Sequence, residues 1–197
     1  MDEQTSPAFD GILEGTPIFS ADGRRIAYGA GKGAKQFVVV DGQVGPEHDG
    51  VGRNSLTFSP DGKRVAFVAQ KGAKWFVIVD DHAGPEYDGI SKGTLAFSPD
   101  GKCVTYVAQK GAKRLVVKDD QAGPEYDAIS SLAFSPDGSR VAYGARKGEK
   151  AFAIVNGAKS AEYDGIASLS FQSDGTLVGL VLRGSVLYRL RLSPPKS

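Results

Sequence analysis

The chain of 197 residues contains one cysteine, one methionine, one tryptophan and two histidines. A single cysteine excludes an intrachain disulfide. Cys103 occupies the place that Arg25, Arg64 and Arg140 hold in kindred stretches of the chain, which marks it as a substitution on a strand rather than a catalytic thiol. His48 and His82 stand in different loop contexts, with no further ligand at metal spacing. The expectation is therefore no metal, no cofactor and no histidine-based catalysis. No apolar run approaches the ~20 residues of a membrane-spanning helix. The opening Met1-Asp2-Glu3-Gln4-Thr5 lacks the basic and apolar stretches of a signal peptide. These absences point to a cytoplasmic protein with no membrane contact, or a periplasmic one if a leader has been removed. The formal net charge is +1, so no global charge favours nucleic acid, which is not an expected partner.

What the chain does have is glycine, 26 residues of it, and a sentence written about five times. The copies start at Phe19, Phe58, Phe97, Phe134 and Phe171, at spacings of 39, 39, 37 and 37 residues. The second copy reads FSPDGKRVAFVAQKGAKWFVIVDDHAGPEYDGI. A repeat of this length, rich in β-branched and aromatic residues, is the signature of a β-propeller with one blade per repeat. In the second copy, Ser55 to Phe58 is read as strand A. Ser59-Pro60-Asp61-Gly62 is a tight turn, with Pro fixing φ and Gly taking the left-handed conformation. Arg64 to Ala69 is strand B, Lys71 to Lys74 a turn, and Trp75 to Val79 strand C. Asp80 to Pro85 is read as a longer loop, and Tyr87 to Ile90 as an outer strand D. Strands B and C are nearly continuous in apolar residues, as expected when both faces are covered.

The ends complement each other. The fifth copy stops after strand C, while Pro7-Ala8-Phe9-Asp10-Gly11-Ile12 matches Pro85-Glu86-Tyr87-Asp88-Gly89-Ile90 at four of six positions. The fold expected is all-β: a five-bladed β-propeller of four-stranded antiparallel blades, its ring closed by the N-terminal strand completing the last blade. It is read as one domain over 1–197, with repeat units of about 16–54, 55–93, 94–130, 131–167, and 168–192 plus 7–12. A monomer is expected, with a strand-swapped dimer as the alternative.

The string FSPDGKRVAF followed by a second hairpin resembles the WD40-like propeller repeat of TolB-type proteins, which also occurs in the propeller domains of prolyl-oligopeptidase-type peptidases. The resemblance runs from Pro7 to Leu192. It implies a propeller, often a protein-binding one. The peptidases carry a separate α/β-hydrolase domain, for which this chain has no room.

The repeated residues are read mainly as blade chemistry. Asp22, Asp61, Asp100, Asp137 and Asp174 recur in the A–B turns and suit turn formation better than a cation site. The pairs His48-Asp49, Tyr87-Asp88, Tyr126-Asp127 and Tyr163-Asp164 fit a packing aromatic better than a lectin site. No catalytic residue is assigned. The B–C turns differ: Lys32 to Lys35, Lys71 to Lys74, Lys110 to Lys113 and Lys147 to Lys150 repeat a Lys-Gly-x-Lys pattern, with Arg183 in the fifth copy. With Arg53, Lys92 and Arg114 these residues are expected to form a lysine-rich face at the channel mouth. Asp41, Asp80, Asp81, Asp119, Asp120, Glu47, Glu86 and Glu125 are placed on the opposite face. Reversing Lys71, Lys74, Lys110 and Lys113 to Glu should then abolish anion binding and leave the fold intact. The function expected is a non-enzymatic scaffold binding a protein or peptide, an acidic one by this charge. The alternatives are a glycan- or small-molecule-binding propeller, lectin-like or glycoside-hydrolase-like, and an engineered or excised propeller without a selected ligand.

Overall fold

The structure is a computed structural model in which residues 8–193 are described. They form antiparallel strands joined by tight turns, with no helix among them, hence none long and apolar enough to cross a membrane. The chain divides into two compact units, Met1–Phe97 and Ser98–Ser197. Five antiparallel sheets are present, the blades of a five-bladed all-β propeller.

In the first unit, sheet 1 comprises β1 (Gly11–Ile12), β2 (Ile18–Phe19), β3 (Ile26–Lys32), β4 (Lys35–Val40) and β5 (Gln43–Val44). Its order is β1–β3–β4–β5, with β2 also on β3. Sheet 2 repeats it with β6 (Gly50–Val51), β7 (Thr57–Phe58), β8 (Val65–Lys71), β9 (Lys74–Val79) and β10 (His82–Ala83). β11 (Gly89–Ile90) and β12 (Ala96–Phe97) stand at the repeat positions of β6 and β7. In the second unit, β13 (Val104–Lys110), β14 (Lys113–Lys118) and β15 (Gln121–Ala122) belong to sheet 3. Sheet 4 is β16 (Ala128–Phe134), β17 (Val141–Lys147), β18 (Lys150–Val155) and β19 (Ala158–Lys159). Sheet 5 is β20 (Gly165–Phe171), β21 (Leu177–Arg183) and β22 (Val186–Leu192).

The continuous apolar runs are buried as expected. Val65 to Ala69, Val104 to Ala108 and Val141 to Ala145 are each fully buried stretches. The change of spacing from 39 to 37 also has a cause. In the earlier copies strand A is split in two by a polar turn, Glu14-Gly15 in sheet 1 and Arg53-Asn54 in sheet 2. In sheets 4 and 5 it runs unbroken for seven residues with a single register shift.

Two readings are corrected. Strand D is not Tyr87 to Ile90. It is His82–Ala83, joined to β9 by the two-residue turn Asp80-Asp81. Asp80 has φ +57, and the matching turns carry Asp41 at +50, Asp119 at +48 and Asn156 at +47; in those three the next residue, Gly42, Asp120 or Gly157, is left-handed too, as a type I′ hairpin requires. The Glu-Tyr-Asp-Gly-Ile segment then serves two sheets. Its aromatic bridges back to strand C, as in Trp75↔Tyr87, and its Gly-Ile opens the following strand A, as Gly50 and Val51 do against Gln70 and Ala69.

The N-terminal segment follows the same rule. It enters a sheet as a strand, as Velcro-type closure needs, but that sheet is the first. Gly11 and Ile12 pair with Gly31 and Ala30, and Phe9 packs on Phe37 with ring centroids 5.9 Å apart. They are therefore not the fourth strand of sheet 5, which has three strands among the described residues. Pro7, the first residue of the matched segment, lies outside the described residues.

Candidate functional site: the lysine turns and their aspartate clamps

Each B–C hairpin closes on a glycine in the left-handed region, Gly33, Gly72, Gly111, Gly148 and Gly184, with φ between +57 and +61. The flanking lysines face each other across the ladder: Lys32↔Lys35, Lys71↔Lys74, Lys110↔Lys113 and Lys147↔Lys150. Like charges so placed repel. An aspartate relieves each pair. Lys35 Nζ lies 2.8 Å from Asp49 Oδ1, Lys74 Nζ 2.6 Å from Asp88 Oδ1 and Lys150 Nζ 3.0 Å from Asp164 Oδ1, and Lys113 pairs with Asp127 in the same way.

The second carboxylate oxygen reaches the turn of the next sheet. Asp49, Asp127 and Asp164 accept the backbone N–H of Gly72, Gly148 and Gly184, each at 2.7 Å. One carboxylate thus holds two consecutive B–C turns. Asp10 supplies the matching bond to Gly33, at 2.6 Å. The hydrogen bonds from Lys35 and Lys113 hold the carboxyls of Asp49 and Asp127 below their ordinary range, and the Gly184 N–H does the same for Asp164. The ammonium groups of Lys35, Lys74 and Lys150 are correspondingly raised by Asp49, Asp88 and Asp164.

The expected lysine face is thus divided. Lys35, Lys74, Lys113 and Lys150 are clamped. Lys110 Nζ lies 3.2 Å from Glu125. Lys32, Lys71 and Lys147 make no ion pair with a described residue. Arg53 pairs with Glu14 on the surface. Lys92 is exposed. Arg114 exchanges backbone hydrogen bonds with Tyr126 at 2.8 Å. The Arg183 guanidinium lies 4.9 Å from the centre of the Tyr163 ring.

The separation of charge onto two faces is also corrected. Glu47 comes within 3.9 Å of Lys35, and Glu125 sits beside Lys110. The return of the chain along strand C delivers both acids to the B–C turns. Lys74 and Lys113 already pair with Asp88 and Asp127, so their reversal to Glu would also break these exposed ion pairs.

The remaining carboxylates are turn chemistry, as read. Asp22, Asp61 and Asp100 each accept a serine hydroxyl at 2.6 Å, from Ser20, Ser59 and Ser98. Each also accepts the N–H two residues on. The aromatics before the clamp aspartates, His48, Tyr87, Tyr126 and Tyr163, are buried. Among the described residues no group of three or more His, Cys, Asp or Glu is placed to hold a metal ion.

One string escapes the reading from sequence. Gly89-Ile90-Ser91-Lys92-Gly93 has the Gly-x-Ser-x-Gly spacing of a nucleophile elbow. It lies in the polar turn that splits strand A, where the Ser91 carbonyl accepts the Thr94 hydroxyl at 2.7 Å. That is a turn between two strand fragments, not the strand-to-helix corner that the elbow requires. The clamp was missed as well, although its signal was present. Lysine and aspartate stand 14 residues apart in all four copies.

No protein-family model and no curated protein matches the chain. Solved structures do. TolB from Acinetobacter baumannii is 19% identical with a TM-score of 0.46, over 92% of this chain and 52% of its own length, so this chain spans about half of it. The β-propeller domain of the Trilobed protease from Pyrococcus furiosus, which has an open Velcro topology, is 14% identical with a TM-score of 0.56 over 93% of this chain and 72% of that one. Oligopeptidase B from Trypanosoma brucei is 13% identical with a TM-score of 0.56 over 92% of this chain and 31% of that one. The likeness is one of fold: the chain is an all-β, multi-bladed β-propeller similar in architecture to the Trilobed protease propeller and Oligopeptidase B.

Proposed function

We propose that the chain is a non-enzymatic interaction module of the WD40-like, TolB type that binds an acidic protein or peptide through the leading lysine of its B–C turns. The observation that carries this is the division of labour within each turn. The second lysine is held by its aspartate, while Lys32, Lys71 and Lys147 make no ion pair with a described residue. Repetition multiplies a weak exposed charge contact into a useful one. On this reading the propeller is a single domain over 1–197, monomeric and cytoplasmic.

The test uses a fluorescein-labelled oligoglutamate peptide and fluorescence anisotropy. Binding should weaken steeply between about 50 and 200 mM salt, as screening shortens the reach of exposed charges. The triple variant K32E/K71E/K147E should lose binding while its melting temperature stays within a few degrees of the parent's. Binding that ignores both salt and the triple reversal would overturn the proposal.

A further inference from the structure

A cleft opens between sheets 1 and 2. It lies in the first unit, between β4–β5 and β8–β10, and has a volume of about 760 Å³. Its floor is Val38, Val65, Phe67, Phe76 and Ile78, with the imidazole of His48 among them. A volume of roughly 300–1,000 Å³, mostly apolar with few polar groups, is the usual form of a small-molecule site.

The same strand framework recurs in the second unit. There Val116, Val141, Phe152 and Ile154 pack with Tyr126 and Tyr143, as Val38, Val65, Phe76 and Ile78 pack with Phe67 in the first. Eight of the lining positions differ, and at three of them next to the floor and mouth the first unit has the smaller side chain. His48 stands for Tyr126, Phe67 for Tyr143 and Ala83 for Lys159. In the second unit the two tyrosine rings meet edge to face at 6.2 Å. Lys159 lies over Tyr126 and Phe152, its Nζ 5.8 Å from the centre of the first ring and 4.9 Å from that of the second.

In the first unit the tyrosine hydroxyls and that lysine stem are missing. The His48 ring meets Phe67 at 5.7 Å and Phe76 at 6.2 Å. The residue is 8% exposed, and its Nε2 is buried without a hydrogen-bond partner. Such an orphaned polar atom is costly and favours any ligand that supplies a partner. The rim carries both signs of charge, with Arg25 paired to Asp41 at 2.8 Å and Lys35 to Asp49 at 2.8 Å. It therefore favours an uncharged occupant.

We propose that this cleft binds an uncharged aromatic small molecule bearing a hydroxyl, which takes the space that the Lys159 stem covers in the second unit and pairs with His48. The test titrates 2-naphthol into the full chain, following naphthol fluorescence and the His48 imidazole resonances. One saturable site is expected. Naphthalene, lacking the hydroxyl, should bind about tenfold more weakly, because Nε2 stays unpaired. Two variants narrow the cleft, A83K at the mouth and H48Y/F67Y at the floor. Each should remove 2-naphthol binding. Position 83 is exposed, so A83K should fold, and its melting temperature reports whether it has. Absence of saturable 2-naphthol binding, or binding that survives either folded variant, overturns the proposal. Equal binding of naphthalene overturns the role given to His48.

Discussion

Cys103 is informative because of what its counterparts do. Arg25 donates from Nε to Asp41 at 2.8 Å and from a terminal nitrogen to the carbonyls of Gly62 and Lys63, at 3.0 and 2.7 Å. Its guanidinium stacks 5.3 Å from the Phe58 ring centre. Arg140 repeats the arrangement with Gly175 and Phe171. Each arginine fastens its sheet to the A–B turn of the next. At position 103 the thiol is pushed up by burial and by Asp119, and the other partners of a guanidinium, Phe134 and the Gly138 carbonyl, are in place by repeat equivalence. C103R should therefore stabilise the protein by about 0.5–2 kcal/mol, the sum of a cation–π contact and a charge-assisted hydrogen bond less side-chain entropy. Urea unfolding should show a higher midpoint with an unchanged slope. A lower midpoint would mean that the site does not admit the longer side chain.

At the scale of the element, the C–D hairpin decides the blade. In sheet 4 the turn is Asn156-Gly157, with φ +47 and +82, and Asn156 Oδ1 accepts the Val141 N–H at 2.8 Å. Gly157 needs its left-handed φ, so G157V should cost about 1–2 kcal/mol although nothing lies within 4 Å of the added Cβ. N156D should be nearly neutral, since Asp41, Asp80 and Asp119 do the same work elsewhere. Thermal unfolding of the two variants checks both statements. Loss of stability in N156D, or none in G157V, would contradict the turn assignment.

This hairpin also shows how far the sequence could be read. Blade number, strands B and C, and the A–B and B–C turns follow from periodicity and turn residues. Strand D does not, because the second copy carries Asp80-Asp81, a weak hairpin signal. The strong ones, Asp41-Gly42 and Asn156-Gly157, sit in the first and fourth copies. Strands of two residues offer no alternation to read. The lysines were legible at the candidate site, and so was their constant spacing to an aspartate, but not that the two meet. Pairing over 14 residues depends on the return path of the chain, which a composition of turns does not state. The cleft is fainter still, since the exchanges that mark it, His48, Phe67 and Ala83 among them, stand out only once the copies are compared on a common framework.

At the scale of the whole molecule, the same carboxylate devices recur in both units, so pH acts on all of them together. Asp49, Asp127 and Asp164 are held below the ordinary carboxylate range, as are Asp22, Asp61, Asp100 and Asp174 in the turns, and Asp137 is lowered to about 2. A carboxyl whose folded pKa lies below its unfolded value of about 3.9 binds fewer protons when folded. Its contribution is complete above the unfolded pKa and is lost as pH falls through the folded one. Each group is largely exposed, so each contributes little. The loss, however, is shared by eight aspartates across both units. His48, lowered by burial, adds a shallower decline starting below about pH 6.5. The lysines act with the opposite sign: Lys35, Lys74 and Lys150 are raised, so their contribution is present below about pH 10.4 and fades above it. The melting temperature should therefore hold a plateau from about pH 7 to 10, with a gentle fall toward pH 5 and a steep one between about pH 4 and 2. The variant D49N/D127N/D164N keeps an acceptor for each glycine N–H but loses the charge. It should lower the plateau and flatten the acid limb, and added salt should narrow the gap to the parent. Circular dichroism melts from pH 2 to 11 decide the matter: an acid limb equally steep in the triple variant would show that the clamps carry no part of the acid sensitivity.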